Sequence, residues 1–423
     1  MTETTSAARM PEIRVPGMLT LAGLVAGLVV GALLKGSSAM DPLLAVAGPV
    51  GTFWLKALKM TILPLVAGLM FTGIVETAAA ANAGAMARRT LGWIVGLLAA
   101  STIIGGTLMP LLLRLFPAPA LKLSHHAAGT DAQLPGLGDF VGSLVPSNVV
   151  TAAAEDAMLP VIVFVALFAA ATTRLAEAPR KQLALLFEAL AGAMIVVIGW
   201  VLKAAPLGVF ALGLTLAASA GAAALGALAH YIALVAALGA VFLLSAYPLA
   251  MLAGRKSPGA FARAVLPSQV VAISTQSSLA SLPAMLASCR ELKIRGTTSE
   301  FVLPLAVTLF RATSPAMNMG VVIYAASLAG YHLTPTAIAA GALVAFVTTF
   351  GTVSLPGTIS FIASTGPIAA AMGVPLWPLG ILVAVEMLPD IMRTVGNVTM
   401  DVAITSAVDA NAPGSEERPE SIH

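Results

Sequence analysis

Long apolar runs alternate with short polar breaks along this chain. The runs cover residues 17–35, 43–78, 90–116, 146–173, 183–217 and 226–253, and again 300–329 and 376–406. Runs of this length and apolarity predict membrane-crossing helices. Two intervening segments do not fit that rule. Residues 267–288 hold Ser268, Ser274, Thr275, Gln276, Ser277, Ser278 and Ser281 between Pro267 and Pro283, which is too polar for a span. Residues 338–372 are interrupted by Gly351-Thr352-Val353-Ser354-Leu355-Pro356-Gly357-Thr358, a stretch incompatible with continuous helix.

Charge placement turns this pattern into a topology. Arg88 and Arg89, then Arg174, Arg180 and Lys181, then Arg255, Lys256 and Arg263, then Arg290, Lys293 and Arg295 predict cytoplasmic loops. Stretches 36–42, 218–226 and 330–336 lack Lys and Arg and predict outside loops. Both ends of 267–288 are then cytoplasmic, so this segment enters and returns as a re-entrant hairpin. The second broken segment enters from the opposite side. Irregular backbone at membrane depth is tolerated only against protein or a cavity. Two such hairpins, each followed by a full span, point to a secondary transporter with its site near the midplane.

The densest polar cluster lies in the last run. Glu386, Asp390, Arg393, Thr394, Asn397 and Asp401 fall within about 100° of one another at helical period. An ionised side chain at the bilayer centre costs roughly 2.5–3.5 kcal/mol, so four of them oppose insertion by roughly 10–14 kcal/mol before pairing. Such groups must meet one another, a ligand or an ion.

Composition agrees. The 423 residues are 58% apolar and only 10% charged, with mean hydropathy +0.96. This excludes an ordinary soluble domain. The net charge of +3 reflects basic loops and not a nucleic-acid surface. One cysteine, Cys289, excludes an internal disulfide or a cysteine metal cluster. Arg9 and Arg14 precede the run Met18 to Leu34, which is long enough to be an uncleaved first helix instead of a signal peptide. The stretch 411–423 reads as a disordered polar tail. His125, His126, His230 and His332 are scattered without metal-ligand spacing, and Met317 and Met319 read as lipid-facing or core filler.

Several motifs carry a family likeness. Leu58-Lys59-Met60 with Pro64-Leu65-Val66, Val145-Pro146-Ser147-Asn148 with Met158-Leu159-Pro160, and Ala205-Pro206-Leu207-Gly208-Val209-Phe210 occur in order. Thr275-Gln276-Ser277-Ser278-Leu279-Ala280-Ser281-Leu282-Pro283 and the Gly351–Gly357 stretch follow, then Asp390-Ile391-Met392-Arg393-Thr394 with Asn397 and Asp401. Together they resemble the glutamate/aspartate and C4-dicarboxylate:cation symporters over nearly the whole chain. The resemblance implies an all-α polytopic membrane protein with eight transmembrane helices and two re-entrant helical hairpins, assembled as a homotrimer in a bacterial inner membrane. It implies a scaffold from residues 1–78 and 117–225, holding the first, second, fourth and fifth spans. A sliding transport domain would come from 79–116 and 226–410, with hairpins at 258–292 and 338–372.

Site roles follow from the same resemblance. Arg393 would hold the distal carboxylate of an acidic amino acid through its planar fork; the alternative is an internal ion pair with Glu386. Asp390 would accept the cargo ammonium; the alternative is a partner for Arg393. Thr394 and Asn397 would hydrogen-bond the α-carboxylate and ammonium. Backbone amides near Gln276, Ser277 and Ser278, and near Leu355, Pro356 and Gly357, would face the α-carboxylate. Ser314 would contribute its hydroxyl. Asp401 would bind a cation, in a possible single sodium site with Asn397, Ala306 and Phe310; a coupled proton is the other possibility.

One departure stands out. Pro304 to Thr334 aligns without a gap to the family's seventh span, where relatives carry Asn-Met-Asp-Gly-Thr. This chain has Phe310-Arg311-Ala312-Thr313-Ser314. The nearby Asn318-Met319-Gly320 is a decoy, because matching it needs an insertion the flanks refuse. In the third span, Ser101 and Thr102 are retained, but Leu98 stands where relatives have a Tyr. Losing the signature carboxylate and gaining a guanidinium changes buried charge by two, which is the charge of two sodium ions. Arg311 would thus substitute for bound cation, facing Asp401 or carbonyls near Thr349, Phe350 and Thr352. Sodium coupling would be reduced or absent. A proton- or sodium-coupled C4-dicarboxylate symporter is the alternative. A channel lacks its continuous polar stripe, and an intramembrane hydrolase lacks a Ser-His or Ser-Lys pairing.

Overall fold

The computed structural model describes residues 17–81, 84–119, 142, 145–155, 157–220, 223–350 and 357–411, and every regular element among them is a helix. In chain order these are α1 (Gly17–Leu33), α2 (Met40–Ala81), α3 (Ala85–Leu115), α4 (Val149–Ala154), α5 (Met158–Thr172), α6 (Glu177–Lys203), α7 (Ala205–Ala220) and α8 (Ala223–Leu252). Then come α9 (Pro258–Thr275), α10 (Leu282–Glu291), α11 (Gly296–Leu309), α12 (Ser314–Leu328), α13 (Pro335–Thr349), α14 (Gly357–Ala371), α15 (Trp377–Leu382) and α16 (Met387–Ala410). Among the described residues, four helices are long and apolar enough to cross a membrane, and they lie within α2, α3, α6 and α8. The expectations for residues 1–16, Leu355, Pro356 and 412–423 lie outside the described residues.

Four apolar runs expected to be continuous are each divided. The run 146–173 splits into α4 and α5, 183–217 into α6 and α7, 300–329 into α11 and α12, and 376–406 into α15 and α16. In each case the downstream helix starts with a proline in its first turn: Pro160, Pro206, Pro315 and Pro389. Proline donates no amide hydrogen, and its ring clashes with the carbonyl four residues back, so a helix start is its least costly place. Asn148 caps α4 as well, its side-chain oxygen accepting from the amides of Val150 at 2.9 Å and Thr151 at 3.3 Å.

The first broken segment is a helical hairpin. Gln276 takes the left-handed conformation (φ 50°) and ends α9, residues 276–281 turn, and α10 runs back against α9. The second pairs α13 with α14.

Packing places these elements around α16. The chief pairings are α1 on α7, α2 on α6 and α7, α3 on α12, and α8 and α9 on α16. One apolar cluster runs from α2 through α5, α8 and α12 to α15; a second joins α3, α9, α11 and α16. At Gly105 the backbones of α3 and α12 meet so closely that an added Cβ would lie 2.5 Å from the Ala316 Cα. Met317 and Met319 are fully buried in the first cluster.

Candidate functional site

Residues 383–386 between α15 and α16 are irregular, and Pro389 makes this break a natural start for α16. Glu386 precedes the first turn, and its carbonyl accepts from the Asp390 amide at 3.0 Å. The predicted polar face is thereby brought inside: Glu386, Asp390, Arg393, Thr394, Asn397 and Asp401 are all buried.

Arg393 is the centre of this face. Its Nη1 lies 2.7 Å from Glu386 Oε1 and 2.9 Å from Asp390 Oδ1, with the directed hydrogen bond going to Asp390. Its Nη2 donates to Asn318 Oδ1 at 3.4 Å. Both internal pairings weighed from the sequence are therefore present together. Glu386 has a further partner: the Tyr231 hydroxyl of α8 donates to its Oε2 at 2.7 Å. Removing one member of such a buried charge cluster leaves the others uncompensated, at a cost of roughly 3–5 kcal/mol.

A second knot fixes the α11–α12 break to the middle of α16. The Thr313 amide and hydroxyl both donate to Asn397 Oδ1, at 3.0 and 2.9 Å, and the hydroxyl also reaches the Arg393 carbonyl at 3.2 Å. From α3, Ser101 Oγ accepts from the Ala316 amide at 3.2 Å. With its Oδ1 accepting from both Thr313 donors, Asn397 has its NH₂ as the group suited to an anionic cargo. Ser314 is buried at the start of α12. Phe310 is buried at the end of α11, its amide bonded to the Ala306 carbonyl at 2.7 Å.

Arg311 occupies the irregular stretch between α11 and α12 and is half-buried. Asp390, Arg393 and Asp401 are its charged neighbours. Asp401 is one of the two environments expected for Arg311; Thr352, in the other, lies outside the described residues. Asp401 is fully buried, and neither of its oxygens accepts a hydrogen bond among the described residues. Arg311 is the charge it faces.

The first hairpin tip is not joined to this cluster by any hydrogen bond among the described residues. Ser277 donates its amide to Thr275 Oγ1 at 3.3 Å, and its own Oγ accepts from the Ala280 amide at 3.2 Å. The hairpin meets α16 lower down, where Gln269 Nε2 donates to Thr399 Oγ1 at 3.0 Å. Ser277 and Ser278 are half-buried and Gln276 is exposed. Gly357 opens α14.

Sequence reasoning missed three participants. Asn318 was set aside as a decoy for alignment, yet it reaches Arg393 across space. Thr313 had no role assigned. Tyr231 sits in an apolar run 155 positions from its carboxylate partner, and no local pattern marks it.

Comparison with known proteins adds a separate line of observation. A family profile described as "Sodium:dicarboxylate symporter family" matches residues 17–411. A proton/sodium-glutamate symport protein of Bacillus subtilis (strain 168) is 26% identical over 385 residues, covering 89% of this chain and 88% of that protein. A proton/glutamate-aspartate symporter of Escherichia coli (strain K12) is 26% identical over 388 residues, with 89% and 88% covered. A C4-dicarboxylate transport protein of Anaeromyxobacter sp. (strain K) is 24% identical over 367 residues, with 84% and 83% covered.

Proposed function

This chain belongs to the sodium:dicarboxylate symporter family, and from that premise we propose that it is a secondary active transporter of acidic amino acids, of the aspartate and glutamate class, with little or no sodium coupling. The observation that carries the reading is a buried guanidinium, Arg393, with a carboxylate, Asp390, one turn away on the same face. A dicarboxylic amino acid needs both: a planar fork for its distal carboxylate and an acid for its ammonium group. Thr394, the Asn397 amide and Ser314 border the same face. The tips around Gln276, Ser277 and Ser278 and around Leu355, Pro356 and Gly357 close on the α-carboxylate when cargo is bound.

The cation argument rests on Arg311. The family resemblance implies a carboxylate where this chain has Ala312, and the fixed guanidinium of Arg311 acts electrostatically on Asp390 and Asp401. A tethered charge balances the site in every state and is never released. It therefore contributes no differential binding and cannot couple uptake to a gradient. The protein works as a homotrimer in a bacterial inner membrane. Residues 79–116 and 226–410 slide as a unit against 1–78 and 117–225.

The test is uptake of labelled aspartate into proteoliposomes with sodium, or with choline in its place. The expected outcome is uptake that changes less than about twofold between the two. Uptake that rises steeply with several sodium ions per aspartate would overturn the Arg311 reading.

A plain C4-dicarboxylate cargo is the second reading. The hydrogen bond from Arg393 to Asp390 favours it, because it gives Asp390 a partner without any ammonium group. Asp390→Ser separates the two. It abolishes aspartate uptake under the first reading and leaves succinate uptake intact under the second.

A further inference from the structure

The Arg393 guanidinium already faces two carboxylates before any cargo carboxylate arrives. A cargo carboxylate adds a third acid around one guanidinium; a cargo ammonium offsets Asp390, and competition for Arg393 is relieved when one of the two resident acids is neutralised or moved. The two are not equivalent. Asp390 receives the directed hydrogen bond from Nη1, and under the proposed function it must stay ionised for the ammonium group. Glu386 has an ion-pair contact on Oε1 and a hydroxyl on Oε2, and is 2% exposed.

That hydroxyl makes the neutral acid tolerable. A phenol both donates and accepts. With Glu386 ionised, Tyr231 O–H donates to Oε2. When a proton from water forms an O–H bond at Oε2, Glu386 becomes the donor and Tyr231 Oη the acceptor. The contact survives in either protonation state, with Tyr231 keeping its own proton. Buried acids are costly mainly when one of their states lacks a partner. Here neither does.

The surroundings bear on the same group. The charged and titratable groups facing Glu386 are Arg393 and Asp390 on α16 and Tyr231 on α8, with Arg311 behind Asp390 and Arg393. Tyr231 packs against Tyr324 of α12, ring centroids 5.4 Å apart, and Tyr324 Oη lies 3.2 Å from His230 Nδ1. His230 is half-buried near the start of α8, on the side predicted to face outward. Helices α7 and α14, which pack on α15, contain no ionisable side chain.

We propose that Glu386 is the coupling proton site: it takes up one proton as cargo binds, releases Arg393 to the cargo carboxylate, and passes its hydrogen bond to Tyr231. Proton and cargo then bind with positive coupling, each raising the affinity for the other by the same factor. The proposal rests on the acidic-cargo reading above and supplies the driving ion that Arg311 removes.

Calorimetric titration of the purified wild-type transporter with L-aspartate and with succinate, in buffers of different ionisation enthalpy, counts protons directly. One proton taken up per cargo molecule is expected, with affinity falling about tenfold per pH unit on the alkaline side. Glu386→Gln, which mimics the neutral acid, should bind with no proton uptake and no pH dependence. An infrared difference spectrum of the wild type needs no variant: cargo should produce a protonated-carboxyl band, and Tyr231→Phe should shift it. Cargo binding to the wild type without proton uptake or that band would overturn the assignment, as would proton uptake undiminished in Glu386→Gln. If neither acid binds the wild type at any pH, the acidic-cargo reading fails, and this inference falls with it.

Discussion

At the residue scale, the binding face depends on which side chain can be neutralised, replaced or spared. Arg393→Gln removes the guanidinium that Glu386 and Asp390 share. Aspartate affinity should drop by about two to three orders of magnitude, from a lost interaction of roughly 3–4 kcal/mol, read by calorimetric titration. Arg311 predicts a gain of behaviour. The double change Arg311→Met with Ala312→Asp installs the Met-Asp pair that the family resemblance implies at these positions, and uptake should become sodium-dependent; unchanged indifference to sodium would count against Arg311 as the substitute cation. Asp390, Arg393 and Asp401 were legible in the sequence because a charge inside an apolar run has no neutral explanation, and Asn397 because it shares their face. Tyr231 and Asn318 were not legible. Each is unremarkable in its own helix and gains meaning only from a partner brought to it by packing.

At the element scale, the two hairpins were legible and the breaks within spans were not. The first declares itself by polarity and by basic residues at both ends, the second by a glycine- and proline-broken stretch in an apolar run. The breaks at 204, 310–313 and 383–386 come just before prolines, but Pro49, Pro64, Pro110 and Pro248 sit inside unbroken helices. Proline alone is thus ambiguous, and neighbouring helices decide whether its unpaired carbonyl can be accommodated. The junction of α3 and α12 offers a direct probe. An added methyl at Gly105 would meet the Ala316 backbone at 2.5 Å, with only main chain to give way. Gly105→Ala should therefore destabilise the protein by about 1–3 kcal/mol and loosen the Ser101 bond that supports the Arg311 segment. Gly96→Ala in the same helix meets nothing within 4 Å and should be neutral. Thermal unfolding of the two purified variants side by side provides the comparison.

At the scale of the whole molecule, the proposed sliding motion requires α14 and α15 to move past α2. In this structure they touch: an added Cβ at Gly380 would lie against the Leu55 side chain, and one at Gly366 would lie 2.7 Å from Ile62 Cδ1. The pair Leu55→Cys and Gly380→Cys should therefore cross-link readily under oxidation, with the native Cys289 buried and silent. Cross-linking should stop uptake in proteoliposomes while aspartate binding in detergent persists. Undiminished uptake after full cross-linking would show that these elements do not slide.

Read alone, the chain determined that it is helical and belongs in a membrane, where its two hairpins fall, and which span holds buried charge. Those properties are set by transfer free energies of consecutive residues, which are local and additive along the sequence. Tertiary structure decided which charges meet. Arg393 has two acids and an amide, Asn397 spends its oxygen on Thr313, and a tyrosine from α8 completes Glu386. These pairings join positions up to 155 residues apart. They arise from the packing of whole helices, in which the burial of many apolar side chains carries a few polar ones into contact.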